Sequence, residues 1–159
     1  MSTRSLICRL TRNGFSEPPI EGVYCHWDGY PSNNGRLLLD HYQDEEKLKR
    51  LLELGSLSFL QAEIGQKHDF GKALDEHPDW CLFYGRDRGE TEGIGKMTFK
   101  GDDESVLEQA KKCGSEYVYL YDHLHYEPAR WLIWDVYERT LSRGWHLLTP
   151  EMCEQPVTA

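Results

Sequence analysis

The run Tyr24-Cys25-His26-Trp27-Asp28-Gly29-Tyr30-Pro31-Ser32-Asn33-Asn34-Gly35-Arg36 carries the densest side-chain chemistry in the chain. His26 and Asp28 stand two residues apart. On a strand that spacing puts both on one face, where a base could be oriented by its carboxylate. No nucleophile stands at a diagnostic spacing beside them, and no G-x-S-x-G occurs, so no catalytic residue is assigned. Ser32 or Asn33 is suited to cap a helix beginning here, and the free N–H groups and dipole of that helix would favour an anion. Arg36 in the first turn opposes that dipole unless it helps hold an anion or a carboxylate. Trp27 and Tyr30 can form a recognition surface, or equally pack into the core.

A second cluster is Gly85-Arg86-Asp87-Arg88-Gly89-Glu90, which follows an apolar run. Arg86 and Arg88 would project from a sheet end with planar forks suited to carboxylate or phosphate, or be neutralised by Asp87 and Glu90 at the surface. His68, in Lys67-His68-Asp69-Phe70, is the remaining candidate. The candidate ligand- or partner-binding residues are therefore His26, Trp27, Asp28, Tyr30, Asn33, Asn34, Arg36, His68, Arg86 and Arg88. Of seven histidines, the closest pair is His123-x-His125, and no zinc-protease, EF-hand or zinc-ribbon spacing occurs. Neither a metal nor a cofactor is expected. Gly93-Ile94-Gly95-Lys96 lacks the length and the following Ser or Thr of a phosphate-binding loop.

The formal charge of −9 argues against a nucleic-acid-binding protein, which needs clustered Lys and Arg, and permits binding to a basic protein surface. It also weakens a base-stacking reading of the Tyr117, Tyr119, Tyr121 stripe. Packing against a helix or a protein surface suits that stripe better. No apolar run approaches bilayer length, and the N-terminus shows no signal-peptide pattern, so a cytoplasmic location and no membrane contact are expected. The five cysteines form no C-x-x-C pair and read as reduced, largely buried thiols.

These candidates must be positioned by a fold of ordinary size. At 159 residues the chain fits one domain, expected over residues 1–149 with a flexible tail over 150–159. Leu6, Cys8 and Leu10 alternate as a strand, Asn13-Gly14 suits a hairpin turn, and a return strand resumes near Ile20. Two short helices joined near Gln43 follow, the second capped by Asp44 and ended by Gly55. Residues 56–64 suggest a helical turn, and residues 65–79 a long loop. Trp80–Tyr84 reads as a strand, Lys96–Phe99 as a short one, and Asp102 or Asp103 caps a helix to Cys113. Tyr117–Tyr121 and Trp131–Tyr137 form a hairpin, and a short last strand follows Gly144. The fold class is α+β: a mainly antiparallel sheet of about five strands with two to four helices packed on one face.

Met1–Ser5, Tyr24–Gly35, Leu54-Gly55, Lys67–Phe70 and Tyr84–Glu90 together resemble a family of small proteins encoded mostly by bacteriophages, prophages and related mobile elements. The similarity reaches to about Trp145, and Cys25–Pro31 is its most specific part. The chain departs from the family in Asp122–Arg130 and in the acidic tail. The resemblance carries over no catalytic residue. It implies an accessory protein that binds a host protein and inhibits or redirects it, with host defence machinery as one such target. A small-ligand binder, for a nucleotide or another anion, is the alternative from the residues themselves. A small hydrolase using His26 and Asp28 is a third reading.

Overall fold

The computed structural model describes residues 2–11 and 18–154. Strand β1 (Ser5–Leu10) pairs antiparallel with β2 (Ile20–Cys25), in a register that sets Leu10 opposite Ile20. The hairpin is as expected, while its Asn13-Gly14 turn lies outside the described residues. Helices α1 (Arg36–His41) and α2 (Glu45–Glu53) follow, then β3 (Leu57–Phe59), α3 (Ala73–Glu76), β4 (Leu82–Phe83), β5 (Met97–Phe99), α4 (Asp103–Lys112), β6 (Tyr117–Asp122), β7 (Arg130–Asp135) and β8 (Trp145–Leu147). The sheet runs β4-β3-β2-β1-β6-β7-β8, with β5 also on β2. The outer edge of β2 is thus shared: β5 takes the Ile20–Gly22 half and β3 joins in parallel at Cys25. Of the described strand pairs, β1–β6 and β2–β3 are parallel and the rest antiparallel, so the sheet is mixed and mostly antiparallel.

The α+β class stands, but eight strands among the described residues replace the expected five or so, and the helices do not share one face. The alternation along β1 explains the second correction. Ile7 belongs to a core with Val23, Cys25 and Tyr119 beneath α1 and α2. Leu6, Cys8 and Leu10 belong to a second core with Val118, Leu120 and Trp134 beneath Val106 and Ala110 of α4. A strand covered on both faces buries every residue, and all six residues of β1 are buried. The Asp44 carboxylate caps α2 by accepting from Glu46 N at 3.1 Å, and Leu48, Leu51 and Leu52 are fully buried. The Asp102 carboxylate caps α4 by accepting from Ser105 N at 2.9 Å.

Residues 56–64 hold β3 instead of a helical turn, because Leu57 pairs with both Cys25 and Phe83. The expected strand over Trp80–Tyr84 contracts to Leu82–Phe83, since the Trp80 ring turns into the preceding loop and stacks on His77 at 3.8 Å. That loop is not featureless: a 3₁₀ turn, Phe70–Lys72, leads into α3. The tyrosine stripe of β6 faces the α1/α2 core. Tyr119 donates to the carbonyl of Gly29 at 2.6 Å and Tyr121 to that of Gln43 at 2.9 Å. The boundary expected at residue 149 falls before a 3₁₀ turn, Met152–Glu154, whose Cys153 is 3% exposed and packs against Gly35. Residues 155–159 of the expected tail lie outside the described residues. No helix among the described residues is long and apolar enough to cross a membrane.

Candidate functional site

The chain leaves β2 at Cys25 and continues along β3, with His26 N and Trp27 N donating to Leu57 and Ser58 carbonyls at 3.0 and 3.1 Å. Asp28 then takes a left-handed φ of 55°, a conformation that Asp and Asn adopt more readily than bulkier residues. The reversal drives Gly29 against β1. Its N–H donates to Thr3 O at 2.8 Å, and a Cβ there would lie 2.7 Å from that of Ser5. Glycine is required by this close approach. Pro31–Gly35 forms one π-helical turn that runs directly into α1.

The polar groups of this junction are engaged internally. Asn34 is fully buried, and its side-chain amide donates to Ser5 Oγ at 3.1 Å and Cys25 Sγ at 3.5 Å. The Asn33 amide donates to Asp28 O at 3.1 Å and Asn34 Oδ1 at 3.0 Å. The cap position is Tyr30, without a side-chain cap, so neither Ser32 nor Asn33 caps the turn as expected. The Asn33 and Asn34 N–H groups donate to Tyr30 O at 3.0 and 3.1 Å, which removes them from the expected anion cradle. Arg36 Nη2 lies 3.7 Å from the Glu154 carboxylate, its side chain about two-fifths exposed.

His26 and Asp28 do not form a base and its orienter. His26 Nδ1 pairs with the Tyr24 hydroxyl at 2.7 Å, and the Asp28 carboxylate accepts from the Tyr30 hydroxyl at 3.3 Å. Burial, then the field of Arg4, pushes the His26 imidazole below its ordinary range. Burial pushes the Tyr24 phenol up. Both shifts favour the neutral forms, so the pair is a hydrogen bond between an uncharged phenol and an uncharged imidazole. Cys25 is no activated nucleophile either, because burial raises its thiol to about 12 against the opposing hydrogen bond from Asn34.

Arg86, Asp87 and His68 form a second knot that closes the loop from β3 to β4. The Asp87 carboxylate accepts from Phe83 N at 2.8 Å, His68 N at 3.1 Å and Arg86 Nε at 3.0 Å. The remaining Arg86 donors reach the carbonyls of Ile64, Gly65 and Cys81 at 2.9, 3.2 and 3.0 Å. His68 Nε2 meets the Cys81 carbonyl at 3.0 Å. An arginine whose fork is filled by the protein's own acceptors is a cross-link and not a ligand clamp. Arg88 is different. It is exposed, lies 3.7 Å from Glu90, and sits over the Phe70 ring at 5.2 Å.

The candidate residues therefore divide into a junction centred on Asn34, a knot centred on Asp87, and a surface group. In the surface group Trp27 is 37% exposed. Its ring stacks on Phe59 at 6.2 Å and 16°, with His26 edge-on at 4.7 Å. Among the described residues no group of three or more His, Cys, Asp or Glu side chains is placed to hold a metal ion.

A groove of about 370 Å³ opens elsewhere on the sheet, lined by Tyr24, Ser56, Tyr84, Met97, Cys113 and the loop from Glu90 to Gly95. Tyr24 rises on the α4 side of β2, opposite the core-facing Val23 and Cys25, and Tyr84 hydrogen-bonds Ser58. The loop wall is pinned at two points. Ser56 N donates to Ile94 O at 2.7 Å, and Lys96 lies 3.2 Å from Glu21 and in direct contact with Glu53. None of these lining residues was a sequence candidate. The usable signal was Tyr24, a large aromatic at an outward strand position beside His26.

The fold and groove define a small, two-core α+β domain with an open pocket on a mixed sheet. Comparison with models of known families, with curated proteins and with solved structures returns no match.

Proposed function

We propose that this chain is a non-enzymatic binding protein that acts by occupying the surface of a partner protein, inhibiting or redirecting it. The observation that carries the reading is Trp27. The junction around it engages its polar groups internally, yet leaves this indole 37% exposed and braced by Phe59 and His26. A rigid exposed aromatic loses little side-chain entropy on docking and suits the centre of an interface. The sequence resemblance sets the context: a phage-type accessory protein working in the bacterial cytoplasm on a host protein, with a defence component as the target class.

The test is capture from lysates of several bacterial hosts, followed by binding of the purified captured protein. A stoichiometric partner whose affinity falls at least tenfold in Trp27→Ala supports the reading. No such partner, or one indifferent to Trp27→Ala, rejects it.

The small-ligand reading draws on the groove, whose volume lies within the range of small-molecule sites. Its rim carries Glu90 and Glu92, which weighs against a nucleotide or another anion. The arginine proposed to hold one, Arg86, is filled by protein acceptors. A thermal-shift panel of mono- and cyclic nucleotides is expected to be flat. The pairing of His26 with Tyr24 instead of Asp28 weighs against a hydrolase.

A further inference from the structure

We infer that the groove between Tyr24, Tyr84 and the 93–95 loop is a binding site for a lysine or arginine side chain presented by a basic segment of a partner protein. The inference rests on the partner-binding reading above. α4 covers the second core over β1 and β6, and the groove is where the same side of the sheet lies open, at Tyr24 and Tyr84. Two phenol rings, Ile94 and Met97 supply apolar walls along which a long aliphatic stem can lie. Glu90 and Glu92 stand on the exposed rim. Glu90 lies 3.7 Å from Arg88 across an exposed contact, which an incoming cation can displace at little cost.

An apolar body with an anionic rim is the complement of Lys and Arg, which bury a stem while keeping the charged head near solvent. It is a poor match for an anion, and a purely apolar ligand would desolvate two carboxylates without a partner. Arg4, whose guanidinium packs against Gly114, is the cation whose field reaches Tyr24. The ligand's charge therefore belongs at the Glu90–Glu92 rim and its stem over the rings. The wall is already built, because Ile94 and Lys96 are held by Ser56, Glu21 and Glu53. The net charge of −9 adds long-range attraction for a basic partner.

The experiment titrates the ¹⁵N-labelled full chain with capped pentapeptides Gly-Ser-X-Ser-Gly, where X is Arg, Lys or Glu. The expected result is saturable shifts at the amides of Tyr84, Gly93 and Gly95 with Arg and Lys but not with Glu. Binding should weaken about tenfold in the double variant Glu90→Gln/Glu92→Gln, and fall with added salt. Both substitutions are at the surface, and an unchanged melting temperature checks the fold. No saturable shift, an equal response to the Glu peptide, or undiminished affinity in the double variant overturns the inference. Trp27→Ala keeps the two readings apart, because it should leave peptide affinity within twofold. A partner that needs Trp27 but ignores the double variant retains the partner-binding function and overturns the groove. A groove that binds the peptides in a chain with no partner overturns the function and leaves the site.

Discussion

The Asn34 side-chain amide donates to the hydroxyl of Ser5, 29 residues earlier, at 3.1 Å. That bond ties the π-helical turn to the first strand, while the same amide reaches Cys25 Sγ at 3.5 Å. One buried polar side chain thus joins the start of β1, the end of β2 and the entry to α1. Asn34→Ala removes both bonds in a fully buried place and takes this donor away from Ser5 Oγ. A loss of about 2–3 kcal/mol is expected in urea unfolding. A loss below about 0.5 kcal/mol, the range of a surface change, would show that the bond is not a structural tie.

The Arg86–Asp87 knot should behave as one unit. Arg86→Ala strands a buried carboxylate, and a cost of about 3–5 kcal/mol is expected. Arg86→Lys should recover little of it, since a single ammonium cannot span Asp87 and the carbonyls of Ile64, Gly65 and Cys81 together. Arg88→Ala, on the exposed side of the same turn, should change stability by no more than about 0.5 kcal/mol. Equal costs for Arg86→Ala and Arg88→Ala in the same denaturation series would contradict this division.

The His26 imidazole is held below its ordinary value of 6.5 by burial and by Arg4. As pH falls below about 6.5 the unfolded chain takes up this proton while the native chain resists it. The His26 contribution to stability therefore declines from there to the native midpoint, then levels off. The ring should titrate below 6.5 by NMR. Tyr24→Phe removes the hydroxyl paired with Nδ1, so its midpoint should change. A native midpoint at or above 6.5 in the unmodified protein contradicts the assignment.

Gly55 has φ +85°, and a Cβ there would lie 2.3 Å from Ile94 O. Gly55→Ala combines backbone strain with displacement of the groove wall. About 2 kcal/mol of destabilisation is expected, together with shifted amides at Gly93 and Gly95. Loss of stability without any change at these amides would separate Gly55 from the groove.

Thiol chemistry offers an independent view of the groove. Cys8, Cys25, Cys81 and Cys153 are buried, whereas Cys113 is partly exposed and lines the groove. Under native conditions a disulfide reagent should modify Cys113 ahead of the other four, and the arginine pentapeptide should slow that reaction. Prior reaction at Cys25 or Cys8 would mean that their cores open more readily than the packing implies.

The sequence alone was enough to place β1, β2, β6 and β7, the cap at Asp44, a cap at Asp102 or Asp103, and the stop at Gly55. Each is a local signal, carried by alternation, by a capping side chain or by a positive φ. It also picked out Tyr24–Arg36 as the densest cluster in the chain. Tertiary structure decided what that cluster does. Whether Asn34 meets an anion or Ser5, and whether the Arg86 fork meets a ligand or its own carbonyls, depends on residues tens of positions away. The same holds for β3, a three-residue strand that exists because Leu57 lies between Cys25 and Phe83, and for the second helical layer over Leu6 and Cys8. The groove is the clearest case. Tyr24, Tyr84, Met97 and Cys113 share no spacing, and the pairing of β3 and β5 with β2 and the docking of α4 bring them to one opening. Local propensity is written in neighbouring residues, whereas a pocket is a property of surfaces that meet only once the sheet has closed.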